Sequence, residues 1–250
     1  MNEDSPFREG MDMSQPLPSS DHPVSPDGPR RPQLLVFDVN ETLSDMAPMA
    51  DRFAEVGAAP LLARSWFAGV LRDGFALTVN GVNPSFAEVA SASLRSVLGH
   101  EPLDRGVEEA VEHVMGGLGS LGLHPDVVPG VEALAGSGIR LVTLSNGSTS
   151  IARKLLDGAG IADRFERLLS VEQAGIWKPA PAAYGYALEA CRVDPMDAML
   201  VAAHPWDTDG AQRAGLASAW INRGGESFPA MFEPPSVEAA SLTELAESLR

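Results

Sequence analysis

The stretch Gln33-Leu34-Leu35-Val36-Phe37-Asp38-Val39-Asn40-Glu41-Thr42-Leu43 decides the fold. Leu34 to Phe37 is an apolar run with one β-branched and one aromatic member. It reads as a short strand buried on both faces, as in the parallel sheet of an α/β protein. The strand ends in Asp38, and open α/β sheets place their ligand crevice at the carboxyl ends of their strands. Asp38 is therefore a candidate nucleophile. Aspartate also caps turns and helices, and position alone does not choose between the two.

Downstream of Thr42 the strand pattern stops. From Met46 to about Gly119 apolar residues recur at helical spacing: Met49, Phe53, Val56; then Leu62, Trp66, Val70; then Phe86, Val89, Ala90, Leu94, Val97, Leu98. The break Asn80-Gly81-Val82-Asn83-Pro84 divides this region, with Pro84 suited to the first turn of the next helix. A further helix is predicted over Leu103 to Leu118. From Asp126 strand and helix alternate again. Strands are predicted at Ile139–Leu144, Leu168–Val171, Ala198–Ala203 and Ala217–Ile221. Helices are predicted around Val131–Ala135, after Ser148 with Ile151, Leu155 and Leu156 on one face, and at Ala182–Ala190, Asp207–Ala214 and Leu242–Leu249. The pattern implies βαβ units. The fold class is α/β: a Rossmann-like parallel sheet core (33–45 and 120–250) with a helical cap (46–119) inserted after the first strand.

Residues 1–32 are rich in Pro, Ser, Asp and Gly without apolar periodicity, and read as a disordered tail. With 18 basic and 34 acidic residues, the net charge of −16 argues against a nucleic-acid partner or an anionic membrane surface. No apolar run has signal-peptide or membrane-span length, so a cytoplasmic protein is the default expectation. The one cysteine, Cys191, cannot form an internal disulfide and sits in an Ala/Leu-rich helical pattern, where core filler is its expected role. The Walker loop, the dinucleotide glycine fingerprint and solenoid repeats are absent.

Polar groups gather where Asp38 is expected: Ser145 and Asn146 after one strand, the Lys178-Pro179 turn, and His204 to Asp207 after another. Singly, each has an ordinary reading. Ser145-Asn146-Gly147-Ser148 caps a helix, a lysine before proline is commonly a solvated surface residue, and His204 and Trp206 are packing residues. Together they form a set with the makings of a catalytic crevice.

On these residues the chain resembles the haloacid dehalogenase superfamily, and within it the type II, L-2-haloacid dehalogenases. The family's nucleophilic Asp with Thr four residues on is matched by Asp38 and Thr42. Its Ser-Asn-Gly-Ser strand end stands at Ser145 to Ser148, its Lys-Pro turn at Lys178-Pro179 with Tyr184 beyond, and its aromatic-Asp pair at Trp206-Asp207. Trp220-Ile221-Asn222-Arg223 is a further typical strand end. The likeness covers roughly Gln33 to Arg223.

The resemblance also points to a branch. The superfamily's phosphatases carry a second Asp two residues after the nucleophile and further carboxylates that hold Mg²⁺. Here those places fall at Asn40 and Ala203, leaving Asp207. Such a set serves a hard cation poorly, so no metal and no cofactor are expected. The implied reaction is displacement of halide from a short 2-haloacid by Asp38, followed by hydrolysis of the aspartyl ester. Lys178 would keep Asp38 ionised, and Asp207, helped by His204, would position or deprotonate the water. Asn40, Thr42, Ser145, Asn146, Trp66, Phe67, Tyr184 and Trp206 are the expected substrate-binding set.

The chain departs from the family in two places. Relatives carry an Arg directly after a cap Trp, whereas Trp66 is followed by Phe67, with Arg64 and Arg72 nearest. The common Ser-Ser pair is Ala202-Ala203. A Mg²⁺-dependent phosphatase and a non-catalytic binding protein on the same fold stay open as alternatives. Helical caps of such folds often pair, which is compatible with a homodimer.

Overall fold

A computed structural model describes residues 31–250. The expectation of a disordered tail falls on residues outside these, except for its last two. Of those, Pro32 is buried and the Arg31 guanidinium donates to the Ser137 carbonyl at 2.7 Å.

Six strands form one parallel sheet: β1 (Leu34–Phe37), β2 (Arg140–Ser145), β3 (Arg167–Ser170), β4 (Ala198–Ala202), β5 (Ala217–Ile221) and β6 (Val237–Ala239). Their order is β3-β2-β1-β4-β5-β6. The chain builds outward from β1 to β3, then returns to the other side of β1 and builds outward again. In sheets of this order the crevice lies outside the strand ends at the point of reversal, here between β1 and β4. Phe37 is in register with Thr143 on one side and Val201 on the other. Asp38, next in the chain, is tied to β4 by its N–H, which donates to the Val201 carbonyl at 3.0 Å.

The strands are buried on both faces because successive side chains alternate. Leu35 and Phe37 join Met199 and Val201 in the core covered by α5 (Val127–Gly136), α6 (Thr149–Gly158) and α10 (Leu242–Ser248). Leu34 and Val36 face the opposite core with Tyr184, Leu188 and Cys191 of α8 (Pro181–Cys191) and Ala211 of α9 (Pro205–Arg213). Cys191 is buried filler, as expected.

Between β1 and α5 lie α1 (Met49–Ala54), α2 (Leu62–Val79), α3 (Phe86–Leu98) and α4 (Val107–Leu118). They share a core of their own, with Phe53, Trp66, Val70 and Leu94 fully enclosed. Where the chain leaves for this layer it lies beside the place where it returns: Ser44 bridges antiparallel to Leu123, and the His124 N–H donates to the Leu43 carbonyl at 3.0 Å. Trp177, in the loop after α7 (Val171–Ala174), joins the layer to the sheet. Its ring stacks on Phe86 at 6.0 Å and its indole N–H donates to the Pro84 carbonyl. Gly74 of α2 lies against that ring, and a Cβ there would be 2.3 Å from it.

Several sequence expectations shift. Pro84 stands outside α3, whose N-cap is Ser85 in a reciprocal capping box with Glu88. The helix expected from Leu103 begins at Val107, after Gly106. On α6 the enclosed residues are Ala152 and Leu156, while Ile151 is exposed. Val171 opens α7 rather than ending β3. The strand β6 was not expected. Among the described residues, no helix is long and apolar enough to cross a membrane.

Candidate active site

At the reversal point three charged side chains meet. Asp38 follows β1 and Asp207 lies in the first turn of α9. Lys178 comes from the loop between α7 and α8, farther from its strand than the sequence suggested. The Lys178 ammonium donates to Asp38 Oδ1 at 2.8 Å and to Asp207 Oδ2 at 2.7 Å. The remaining oxygens are also engaged. Thr42 Oγ1 donates to Asp38 Oδ2 at 2.7 Å, and the Tyr184 hydroxyl donates to Asp207 Oδ1 at 2.6 Å. Lys178 and Asp207 are fully buried and Asp38 is 4% exposed.

Local structure fixes each member. Lys178 precedes a cis Pro179, and its backbone is clasped by Asn146 after β2: its N–H donates to Asn146 Oδ1 at 3.0 Å, and Asn146 Nδ2 donates to its carbonyl at 3.4 Å. Thr42 Oγ1 accepts from the Ala203 N–H at 2.9 Å, so one hydroxyl joins the segments after β1 and β4. Gly210 lets α9 lie close: a Cβ there would be 2.6 Å from Pro179 Cβ and 2.7 Å from the Tyr184 hydroxyl.

Burial and charge act against each other here. Burial raises the Asp38 carboxyl, but the Lys178 ammonium, with help from His204 and the Thr42 hydroxyl, holds it below its ordinary value. Asp207 goes the other way. Burial raises it, Asp38 adds to the rise, and Lys178 with Tyr184 opposes without overcoming it. Burial lowers Lys178, but the two carboxylates carry it above its ordinary value. The arrangement is an ionised carboxylate under an ammonium, with a second carboxylate completing the charge.

Some of the remaining candidates line two separate cavities, of which the triad itself forms no wall. Asn40, Ser145 and Gly147 line a cavity of about 680 Å³ whose walls include Phe86, Met115 and Leu118. Ser145 Oγ itself accepts from the Gly147 N–H at 2.9 Å. Phe67, His204, Glu41 and Arg64 line a second cavity of about 810 Å³. The His204 ring lies 5.2 Å from Trp206 and 6.5 Å from Phe67, and Trp206 rests on Phe75 at 4.9 Å. Trp66 is not brought to the site. It is fully buried in the helical layer, its indole N–H donating to the Ala90 carbonyl at 3.1 Å and its ring beside Phe53. Tyr184 and Asn146 hold Asp207 and Lys178 rather than line either cavity.

Glu41 was missed by sequence reasoning. It has φ +61°, a left-handed conformation unusual for a side chain of its size, and its carboxylate lies 3.3 Å from His204 Nε2. The one available signal was a charged residue in the turn between Asn40 and Thr42. Gly210 was missed too, since its role depends on two neighbours distant in sequence.

The family model for haloacid dehalogenase-like hydrolases matches residues 32–215. The haloacetate dehalogenase H-2 of a Moraxella species is 37% identical over 111 residues, a match that covers 44% of this chain and half of that enzyme (50%). The (S)-2-haloacid dehalogenase H-109 of Pseudomonas putida is 27% identical over 219 residues, 86% of this chain and 96% of that enzyme. Among solved structures, a dehalogenase with an intermediate complex superposes with a TM-score of 0.80 at 26% identity, covering 87% of this chain and 97% of its own.

Proposed function

The chain belongs to the haloacid dehalogenase-like hydrolases, and from that membership we propose that it is a metal-independent 2-haloacid dehalogenase with Asp38 as nucleophile. The observation that carries this reading is the Lys178 ammonium, at 2.8 Å from Asp38 and 2.7 Å from Asp207. It keeps Asp38 charged, and with the Thr42 and Tyr184 hydroxyls on the other two oxygens it leaves no carboxylate oxygen of the pair without a donor. A donor set already joined by an ammonium does not fit a hard divalent ion, which needs several free oxygens. The relatives that act on haloacetate and (S)-2-haloacids supply the substrate class.

In the first half-reaction Asp38 attacks the halogen-bearing carbon of a short 2-haloalkanoic acid. The carbon–halogen bond breaks, halide leaves with the bonding pair, and an aspartyl ester forms. Thr42 and Lys178 hold the carboxylate in place for this step. Water then adds to the ester carbonyl of Asp38 from the side where the chain after β4 brings His204 and Asp207. Collapse releases the 2-hydroxy acid and restores Asp38. Asn40 and Ser145 on one cavity and Phe67 on the other line the spaces open to a substrate. The helices of residues 46–119 serve as a cap over the core, excluding bulk water from the nucleophile. A cytoplasmic setting suits the single, buried cysteine.

The test is halide release from racemic 2-chloropropionate, chloroacetate and fluoroacetate in EDTA, with Asp38→Asn beside the wild type. Release by the wild type and not by the variant is expected. No release from any of the three, with turnover of phosphate esters in Mg²⁺, would overturn the reading.

A further inference from the structure

Asp207 is poorly placed to take a proton from water. It is fully buried, Lys178 occupies one oxygen at 2.7 Å and Tyr184 the other at 2.6 Å. The cavity beside the site offers a different group. His204 stands at the N-cap position of α9 and lines the cavity of about 810 Å³ with 11% of its side chain accessible. Its chain neighbour Ala203 is tied to Asp38 through the Thr42 hydroxyl, at 2.9 and 2.7 Å. The His204 Nε2 lies 3.3 Å from Glu41 Oε2.

The Glu41 backbone is held at both its N–H and its carbonyl. Its N–H donates to Ser44 Oγ at 3.3 Å, and its carbonyl is met by His124 Nε2 at 3.1 Å and by the Arg223 guanidinium at 3.5 Å. Arg223 is itself forked onto Asp126 at 2.9 and 3.0 Å. These contacts hold a non-glycine residue at φ +61°. Such strain is kept where the surroundings over-determine it, commonly beside a functional group. What Glu41 gains there is contact with a histidine at the rim of the catalytic crevice. Burial lifts its carboxyl, with His204 and Arg64 opposing and Asp38 adding to the rise.

We propose that His204 is the general base of the hydrolytic half-reaction, and that Glu41 is its positioning residue. The proposal rests on the dehalogenase reading above and deepens it. The free ring nitrogen of His204 accepts a proton from water as the water oxygen bonds to the Asp38 ester carbonyl. Glu41, with its side chain 41% exposed, fixes the ring and balances the imidazolium charge, the task that a carboxylate performs for histidine in hydrolytic triads. When the tetrahedral adduct collapses, the ester C–O bond breaks. The departing alkoxide takes the proton of the new carboxyl group, and His204 returns its own proton to solvent through the cavity it lines.

The experiment follows both products in a single turnover with excess enzyme and 2-chloropropionate, with intact mass measured on the quenched protein. In His204→Ala about one halide per site should still be released, the protein should gain the mass of the propionate ester, and hydroxy acid formation should fall by about 10²–10⁴-fold, the usual share of general-base catalysis. Added imidazole should restore part of the rate. Glu41→Gly, which suits the left-handed backbone, should melt no lower than the wild type yet hydrolyse the ester at least about tenfold more slowly, with Glu41→Asp recovering part of the loss. Wild-type hydrolysis rates in both His204→Ala and Glu41→Gly, or loss of the halide burst in His204→Ala, would overturn the assignment while leaving the dehalogenase reading in place. A wild type that releases no halide overturns that reading instead, and the dyad with it.

Discussion

At the floor of the crevice, Asp38, Lys178 and Asp207 are joined by contacts of 2.7 to 2.8 Å, with Thr42 and Tyr184 closing the remaining carboxylate oxygens. At the rim, Glu41 and His204 are 3.3 Å apart beside an exposed Arg64, on a backbone strained at φ +61°. The floor is a closed set: every charge has its partner, and no member can be removed without leaving another exposed to a low dielectric. The rim is open to a cavity and can exchange partners with a substrate, a water or a proton. The contrast suits a reaction in two halves. A nucleophile needs a fixed, dry position with its charge preserved, whereas hydrolysis needs a group that meets water.

The sharpest test of the closed floor is Lys178→Met. Truncating one partner of a buried ionic set costs about 3–5 kcal/mol, because the charges left behind are unpaired. Two carboxylates would then face one another in burial, so the variant should be less stable at neutral pH and recover stability on acidification as one of them takes up a proton. Halide release should fall by about 10³-fold, as for loss of a preorganised charge at a reacting group. Thermal melts across pH and initial rates check both. A variant as stable as the wild type at neutral pH would show that the floor is not a closed set.

Next in size is the acid limb of the reaction. Asp38 is held below its ordinary value and Asp207 above it, so on acidification Asp207 protonates first, while Asp38 is still charged. Lys178 then bears on Asp38 alone and weakens it as a nucleophile. The rate constant kcat/KM should therefore fall at a pH above the ordinary aspartate value of 3.8. Tyr184→Phe removes a hydrogen bond that opposes the rise at Asp207, so its acid limb should lie higher still. The stability linkage divides by sign. Asp38 contributes stability above its unfolded value and loses it as pH falls through its depressed folded value. Lys178 contributes below its unfolded value and loses it as pH rises through its elevated one. An acid limb that does not move in Tyr184→Phe would separate Asp207 from the chemistry.

The floor was also the legible part. Leu34 to Phe37 alternates into two cores and could only be a buried strand, so Asp38 had to lie at its carboxyl end. Lys178 and Asp207 were readable through the family resemblance that Lys178-Pro179 and Trp206-Asp207 carry. What each oxygen touches was not, since the clasp of Lys178 by Asn146 and of Asp207 by Tyr184 depends on loops folded against one another. Trp66 was misplaced because its helical spacing fits either a core or a cavity wall, and packing with Phe53 and Val70 decided for the core. The strand β6 escaped notice because Val237-Glu238-Ala239 is too short for a pattern and its middle residue is exposed. Glu41 was hidden for another reason: backbone conformation at φ +61° leaves no mark on residue type when the residue is not glycine.

The smallest predicted effect concerns the rim's exposed cation. Arg64 lies on the wall of the cavity that holds Phe67 and His204, and its charge reaches the Glu41 carboxyl. A haloacid carries a negative charge, and in this cavity Arg64 can attract it without being fixed to it. Exposed ion pairs are worth about 0.2–1 kcal/mol and are screened by salt. Arg64→Ala should thus raise KM by a factor of roughly two to five with kcat unchanged, and the difference should shrink in high salt. Arg72 supplies the control. It belongs to the same helix, its side chain is 75% exposed, and it pairs with Asp73 at 2.8 Å. Arg72→Ala should leave KM where it was. Equal shifts in the two variants would mean that the substrate senses only the overall charge of the helical layer. A loss of kcat in Arg64→Ala would move Arg64 from attraction of the substrate into the chemistry, and the line between floor and rim with it.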